Sequence, residues 1–228
     1  MGFYLADTFT GTNGDPPNGT NWDYYGSAGS SVAIQGNRMR MQLDGDQSDS
    51  TTFQTQSDHD ADTDIYFDIV VNSGSSGADM VAEIYFRSTD IGSFSGGYIL
   101  EYVLNNGGYN LWRAPSSSGW SLLGTDTSGG TAASGDTIHF HLRTAGTSIQ
   151  VTTWINADSE PGSPTISVTD SNKTSAGRWG ILVYSNNAGG TPYYELDNVV
   201  IGVAGAAMAG RRALNVPHMC GSRTRGRW

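Results

Sequence analysis

Residues 178–201 read RWGILVYSNNAGGTPYYELDNVVI, and the parsing of this stretch decides the fold. Gly180-Ile181-Leu182-Val183-Tyr184 is apolar and β-prone. Asn186, Asn187, Gly189 and Gly190 are turn formers, and Tyr193 to Ile201 returns as a second run. The stretch therefore reads as two strands. The second also carries Glu195 and Asp197, two residues apart and so on one face of a strand. It is either a catalytic strand or the closing strand of a sheet.

Working outward, the same period of two recurs along the chain. Ile65, Phe67, Ile69 and Val71 alternate with Asp64, Tyr66 and Asp68. Met80, Ala82, Ile84 and Phe86 form one face, with Val81, Glu83, Tyr85 and Arg87 on the other. Ile138, Phe140 and Leu142 alternate with His139, His141 and Arg143, and Ile149, Val151, Thr153 and Ile155 with Gln150, Thr152 and Trp154. Gly36-Asn37 and Asn106-Gly107-Gly108 lie between such runs and mark hairpins. Thr51 to Gln56 reads as an edge strand, and Trp22 falls in a loop. Roughly a dozen strands with turns every 8–12 residues and no helical period predict an all-β protein, an antiparallel β-sandwich or jelly roll.

The chain has 228 residues, with 31 Gly and 15% charged residues, which suits one sandwich domain with a surface built of Ser, Thr, Asn and Gly. The net charge of −10 hides an asymmetry. Of the 12 Lys and Arg, five (Arg211, Arg212, Arg223, Arg225 and Arg227) lie in the last eighteen residues, which hold no acid. The preceding residues keep seven bases against 22 acids, a formal −15. An acidic body excludes nucleic acid as the main ligand, because phosphate neutralisation needs clustered bases. Cys220 is the sole cysteine, so no intrachain disulfide forms. No apolar run approaches the roughly 20 residues of a membrane helix, and MGFYLADTF lacks the basic and apolar segments of a secretion signal. The expectation is synthesis in a host cytoplasm and arrival in a virion by assembly. After Val203 the periodicity stops, so residues 1–203 are read as the domain and 204–228 as an Arg-rich tail, flexible or docking on an acidic partner.

Asp7-Thr8-Phe9-Thr10-Gly11, Trp22 and the hairpin Val32 to Leu43 resemble the opening of the concanavalin A-like lectin/glucanase superfamily, the laminin-G-like jelly roll. Gly177-Arg178-Trp179-Gly180-Ile181 and Tyr194-Glu195-Leu196-Asp197-Asn198-Val199 resemble its closing strands. The resemblance spans about residues 5 to 203 and implies a sandwich in which the first and last strands pair side by side. The superfamily includes lectins, glycosidases, adhesion modules and phage tail domains. Gly210 to His218 is similar in style to minor tail proteins of actinobacterial phages.

Glycosidases of the superfamily carry E-x-D-x-x-E on one strand, but here the last acidic position is Val200. Glu195 and Asp197 are therefore expected to be structural, and no catalytic residue is assigned to them. Glu83 and Glu101 form a second acidic pair: on neighbouring strands their carboxylates would face one cleft about 5 Å apart, the spacing of retaining glycosidases. Nothing in the sequence sets that pairing. A carbohydrate platform needs aromatic rings beside polar groups, and Tyr109, Trp112, Trp120, His139, His141, Arg143 and Trp154 are its candidates. No cofactor is required, but Asp7 and Asp197, on the first and last strands, are candidate ligands for a structural Ca2+.

The reading that follows is a non-enzymatic virion protein, a minor tail or appendage component. It would attach to host-surface glycans, dock through its Arg-rich tail on other virion proteins and work as a homo-oligomer within the assembly, without membrane insertion. A glycoside hydrolase or lyase of the same fold and a capsid decoration protein are the alternatives.

Overall fold

The computed structural model of the chain describes residues 3–26, 30–43, 50–55, 58–72, 80–89, 96–103, 107–114, 119–127, 130–156, 159–185 and 193–205. Fifteen strands and no helix occur among them. In chain order they are β1 (Phe3–Asp7), β2 (Trp22–Gly26), β3 (Ser31–Gln35), β4 (Arg38–Gln42), β5 (Ser50–Thr55), β6 (Thr63–Asn72) and β7 (Met80–Ser88). Then follow β8 (Tyr98–Val103), β9 (Gly108–Arg113), β10 (Ser121–Asp126), β11 (Thr137–Ala145), β12 (Ser148–Ile155), β13 (Ile166–Thr169), β14 (Arg178–Ser185) and β15 (Tyr193–Val203).

Two antiparallel sheets result. Sheet A runs β13-β12-β11-β6-β15-β4-β3, with β1 also paired to β15; sheet B runs β10-β9-β8-β7-β14-β5-β2. The inward halves of the alternating runs meet between them. Phe67, Phe140, Tyr194, Leu196 and Ile201 of sheet A pack against Trp22, Phe53, Phe86, Leu100, Tyr102, Leu111 and Ile181 of sheet B, all buried. Phe67 stacks on Phe140 with ring centroids 4.7 Å apart, and Trp22 on Phe53 at 4.4 Å. Such ring pairs add stability beyond the apolar area they remove from water.

The first and last strands close the sandwich, as the resemblance implied. β1 lies antiparallel to β15, with Asp7 opposite Val199. Asp7 holds the turn that follows it: Oδ1 accepts from the Phe9 N–H at 2.7 Å and Oδ2 from the Trp22 indole N–H at 2.8 Å. The D-x-F…W pattern is thus a clamp that seats Phe9 and Trp22 in the core. Gly177 has a steric reason. Its backbone pairs with His59, and a Cβ there would lie 2.5 Å from the Arg87 carbonyl carbon.

Two sequence expectations are corrected here. Residues 50–55 are not an edge strand, because β5 is paired on both sides, by β14 and β2. Trp22 begins β2, which takes the edge instead; only Trp22 of that strand is buried, so no alternation marks it.

Candidate functional site

β7 and β8 build the centre of sheet B. Ala82, Ile84 and Phe86, with Tyr98, Leu100 and Tyr102, point into the sandwich. Alternation turns Val81, Glu83 and Tyr85, with Ile99, Glu101 and Val103, to the other side. The antiparallel register sets Glu83 directly opposite Glu101, a pairing that the sequence left open. The row continues through Asn110 on β9 and Leu182 on β14, and the next through Trp112, Ile99, Tyr85, Gly180 and Gln54.

This outward face is not a solvated one. Tyr85, Ile99, Ala114 and Leu182 are buried on it as a second apolar cluster, with Trp112 and Tyr184 packed alongside. Glu83 is only 9% exposed. Its Oε2 accepts from the Tyr85 hydroxyl, and Asn110 Nδ2 donates to Glu101 Oε1 at 3.1 Å. Burial pushes the Glu83 carboxyl above its ordinary range; the Tyr85 and Tyr184 hydroxyls pull it down and the Glu101 charge pushes it further up. Burial, aided by these acids, also drives the Tyr85 and Tyr184 hydroxyls upward, so both remain donors.

Two more polar groups on this face are sequestered without a partner among the described residues. Gln54, 2% exposed, has no donor for Oε1, and Trp112 no acceptor for its indole N–H. Most buried polar atoms in native proteins are satisfied, so an orphaned acceptor and donor on one face mark unspent hydrogen-bonding capacity. Sequence reasoning missed Gln54, Tyr85, Asn110 and Tyr184. Only their strand parity was legible, and parity does not show that β5, β14, β7, β8 and β9 lie side by side.

The expected carbohydrate platform is divided among four places. Trp112 lies on the sheet B face just described. Tyr109 is 1% exposed inside the sandwich, stacked on Tyr102 at 5.0 Å, and burial raises its hydroxyl to about 12. It is a core residue, because Gly108 begins β9 in the register that turns Tyr109 and Leu111 inward. Trp120 is exposed just before edge strand β10.

His139, His141, Arg143 and Trp154 do come together, on the outward face of sheet A. His139 stands opposite Trp154 and the two rings stack at 5.1 Å. His139 Nδ1 lies 2.6 Å from Asp68 Oδ1, with Nε2 against the Asn156 carbonyl. His141 is held by Glu160 at 2.5 Å and Asp64 at 3.1 Å and stacks on Tyr66. Arg143 Nε is 3.7 Å from Asp64. The polar atoms of both imidazoles are thus engaged with neighbours in the chain.

Glu195 and Asp197 also face outward from sheet A. Glu195 is gripped by Arg38 at 3.2 Å and Arg40 at 2.7 Å, and Asp197 lies 3.6 Å from Arg38. A bulge at Asn198, whose φ is 51°, flips the register, so Val199 faces the core. Asp7, opposite Val199 and bonded to Trp22, is therefore on the far side of the strand from Asp197. The two carboxylates do not form the expected Ca2+ site, and no group of three metal-binding side chains occurs among the described residues. Arg211, Arg212, Arg223, Arg225 and Arg227 lie outside the described residues.

The architecture is that of the concanavalin A-like, galectin-like jelly roll. No protein-family model and no curated protein matches the sequence; the likeness is to solved structures. The carbohydrate-binding module CBM66 from Bacillus subtilis superposes with a TM-score of 0.57 at 14% identity, over 80% of this chain and 96% of that one. The exoplasmic/lumenal domain of VIP36 in its Ca2+/Man3GlcNAc-bound form gives 0.59 at 12% identity, over 86% and 91%. A β-1,3-glucanase from Mycobacterium marinum gives 0.60 at 13%, over 88% and 99%. At these identities the likeness is one of fold.

Proposed function

We propose that this protein is a glycan-recognition module whose binding face is the outward side of sheet B. The observation that carries the reading is the buried constellation of Glu83, Glu101, Tyr85, Tyr184 and Trp112, with unsatisfied polar atoms on Gln54 and Trp112. Aromatic faces take the apolar side of a sugar ring, and the acids, amide and indole N–H take its hydroxyls. A lectin, a binding module and a glucanase among the solved neighbours support a saccharide as the ligand. Screening the full chain on a glycan array, then titrating the best binder into Trp112→Ala and Trp154→Ala, tests the reading. Affinity should fall at least tenfold in the first and stay unchanged in the second. The reverse pattern would move the site to sheet A and its His139, His141 and Trp154 platform.

The cross-strand acids favour a second reading, glycoside hydrolysis. Directly opposed residues of an antiparallel pair have Cβ atoms roughly 4.5–5.5 Å apart, within reach of the retaining geometry of about 5–5.5 Å between carboxyls. Glu83, its carboxyl raised by burial, is suited to be the acid, and Glu101 the nucleophile. Release of reducing ends from a β-1,3-glucan, abolished in both Glu83→Gln and Glu101→Gln, would establish it; binding without turnover would leave the module a lectin. The proposed setting remains a virion appendage docked through the Arg-rich tail, supported by the charge asymmetry of the sequence.

A further inference from the structure

Four acids are buried among the described residues: Asp64, Glu83, Asp170 and Glu195. Three of them have a cation. Asp64 is paired with Arg143 and His141, Asp170 with Arg113 at 2.5 Å, and Glu195 with Arg38 and Arg40. Glu83 has none. Its neighbours are the hydroxyls of Tyr85 and Tyr184 and a second carboxylate, Glu101, whose bonded partner is the neutral Asn110 amide. Buried carboxylates are ordinarily neutralised by an ion pair or a proton, and no cation pairs with Glu83 among the described residues.

Gln54 has the same bias, while the orphaned donor of the face is the Trp112 indole N–H. Gln54 lies two strands across and two residues along from Glu83, about 12 Å away at the usual strand spacing and rise, and offers an acceptor with no donor. Phe53 points into the core, so Gln54 turns to the face that holds the acids. Trp112 is diagonal to Glu101 across the β8–β9 pair, roughly 7–8 Å away, and Tyr184 stands on the other flank. An acidic pair without a cation and the open acceptor of Gln54, beside aromatic rings, suit a ligand that brings several N–H donors and a positive charge, with cation–π attraction added to the ion pair.

We infer that the sheet B face selects a saccharide bearing free amino groups, its ammonium seated between Glu83 and Glu101 against Trp112 and Tyr184, with Gln54 accepting from a further donor. The inference rests on the proposed glycan-recognition function and names its ligand class. It also excludes uronates and phosphorylated sugars, which would place like charges against an unneutralised acidic pair.

Calorimetric titration of the full chain separates the possibilities. The probes are a β-1,4-glucosamine pentamer, its fully N-acetylated counterpart and a β-1,4-glucose pentamer, in buffer acid enough to keep the amines charged. The amine pentamer should bind at least tenfold more tightly than either neutral one, and added salt should weaken only that binding. Glu83→Gln with Glu101→Gln should lower the affinity for the amine pentamer at least tenfold and erase the preference, while an unchanged circular-dichroism spectrum shows that the variant is folded. Glu101→Gln alone should reduce the preference in part. Equal or tighter binding of a neutral pentamer, still sensitive to Trp112→Ala, would overturn the amine preference and leave the glycan function standing. Binding of a lysine pentapeptide with none of the three saccharides would overturn both.

Discussion

Glu83 and Tyr85 stand two residues apart on β7, and their environment turns an ordinary strand acid into an unusual one. Burial raises the Glu83 carboxyl, so the native state holds a proton over a pH window in which the unfolded chain has released it. Across that window the native state binds more protons, and stability falls as pH rises. Glu83→Gln removes the effect. The variant should unfold at a higher urea midpoint than the parent at neutral pH, with the difference closing below the ordinary glutamate value of about 4.3. A variant less stable than the parent at every pH would show that the carboxylate itself is structurally required. The residue scale also explains Gly177 of the G-x-x-G-I signature. A methyl group there meets the backbone of Arg87 and Ser88 at 2.5–2.8 Å. Gly177→Ala should cost about 1–3 kcal/mol, read from the denaturation midpoint.

At the scale of elements, the end of β7 is a latch. Arg87 has a φ of 49°, a conformation uncommon for a non-glycine residue. Its guanidinium is buried and donates to three carbonyls: Ala61 from Nε at 2.6 Å, Lys173 from Nη1 at 3.0 Å and Gly146 from Nη2 at 2.9 Å, with Asp62 at 3.4 Å. One fork thereby ties the segment before β6, the β11–β12 turn and the segment before β14 to one end of sheet B. Arg87→Ala should destabilise by roughly 3 kcal/mol, because it leaves buried carbonyls without donors. Arg87→Lys should recover only part of this, since an ammonium lacks the fork geometry. Equal midpoints for the parent and Arg87→Ala would refute the latch. The sequence marked Arg87 only as an outward residue. Its partners lie 26, 59 and 86 residues away, beyond any local pattern.

The whole molecule balances two kinds of buried acid. Burial pushes Asp64 and Asp170 upward, but hydrogen bonds and cations outweigh it: His141, Gly205 and Arg143 for the first, Asn172, Tyr98 and Arg113 for the second. Both therefore lie below the usual aspartate range. Their contribution is complete above the unfolded value of about 3.9 and is lost as pH falls through the lowered values. Acidification relieves the burden of Glu83 while it strips these ion pairs. Asp170→Asn should be less stable than the parent by about 1–3 kcal/mol at neutral pH, and urea unfolding should show the gap narrowing as the solution is acidified below the aspartate range. A gap independent of pH would mean that Asp170 acts through packing alone.

The amino-acid pattern by itself determined the all-β class, which residues share a side in the regularly alternating strands, the D-x-F…W opening and the Gly177 to Asn198 closure. These are local properties: a period of two and the steric or capping needs of single residues set them. Tertiary structure alone decided which faces are neighbours. It turned Tyr109 inward, parted Asp7 from Asp197 through the bulge at Asn198, and spread the expected platform over two faces and an edge. It also set Glu83 against Glu101 and brought Gln54, Trp112 and Tyr184 around them. Those residues come from five strands, β5, β7, β8, β9 and β14. Their register depends on pairings across long loops, because a one-residue slip in any strand would reverse its faces.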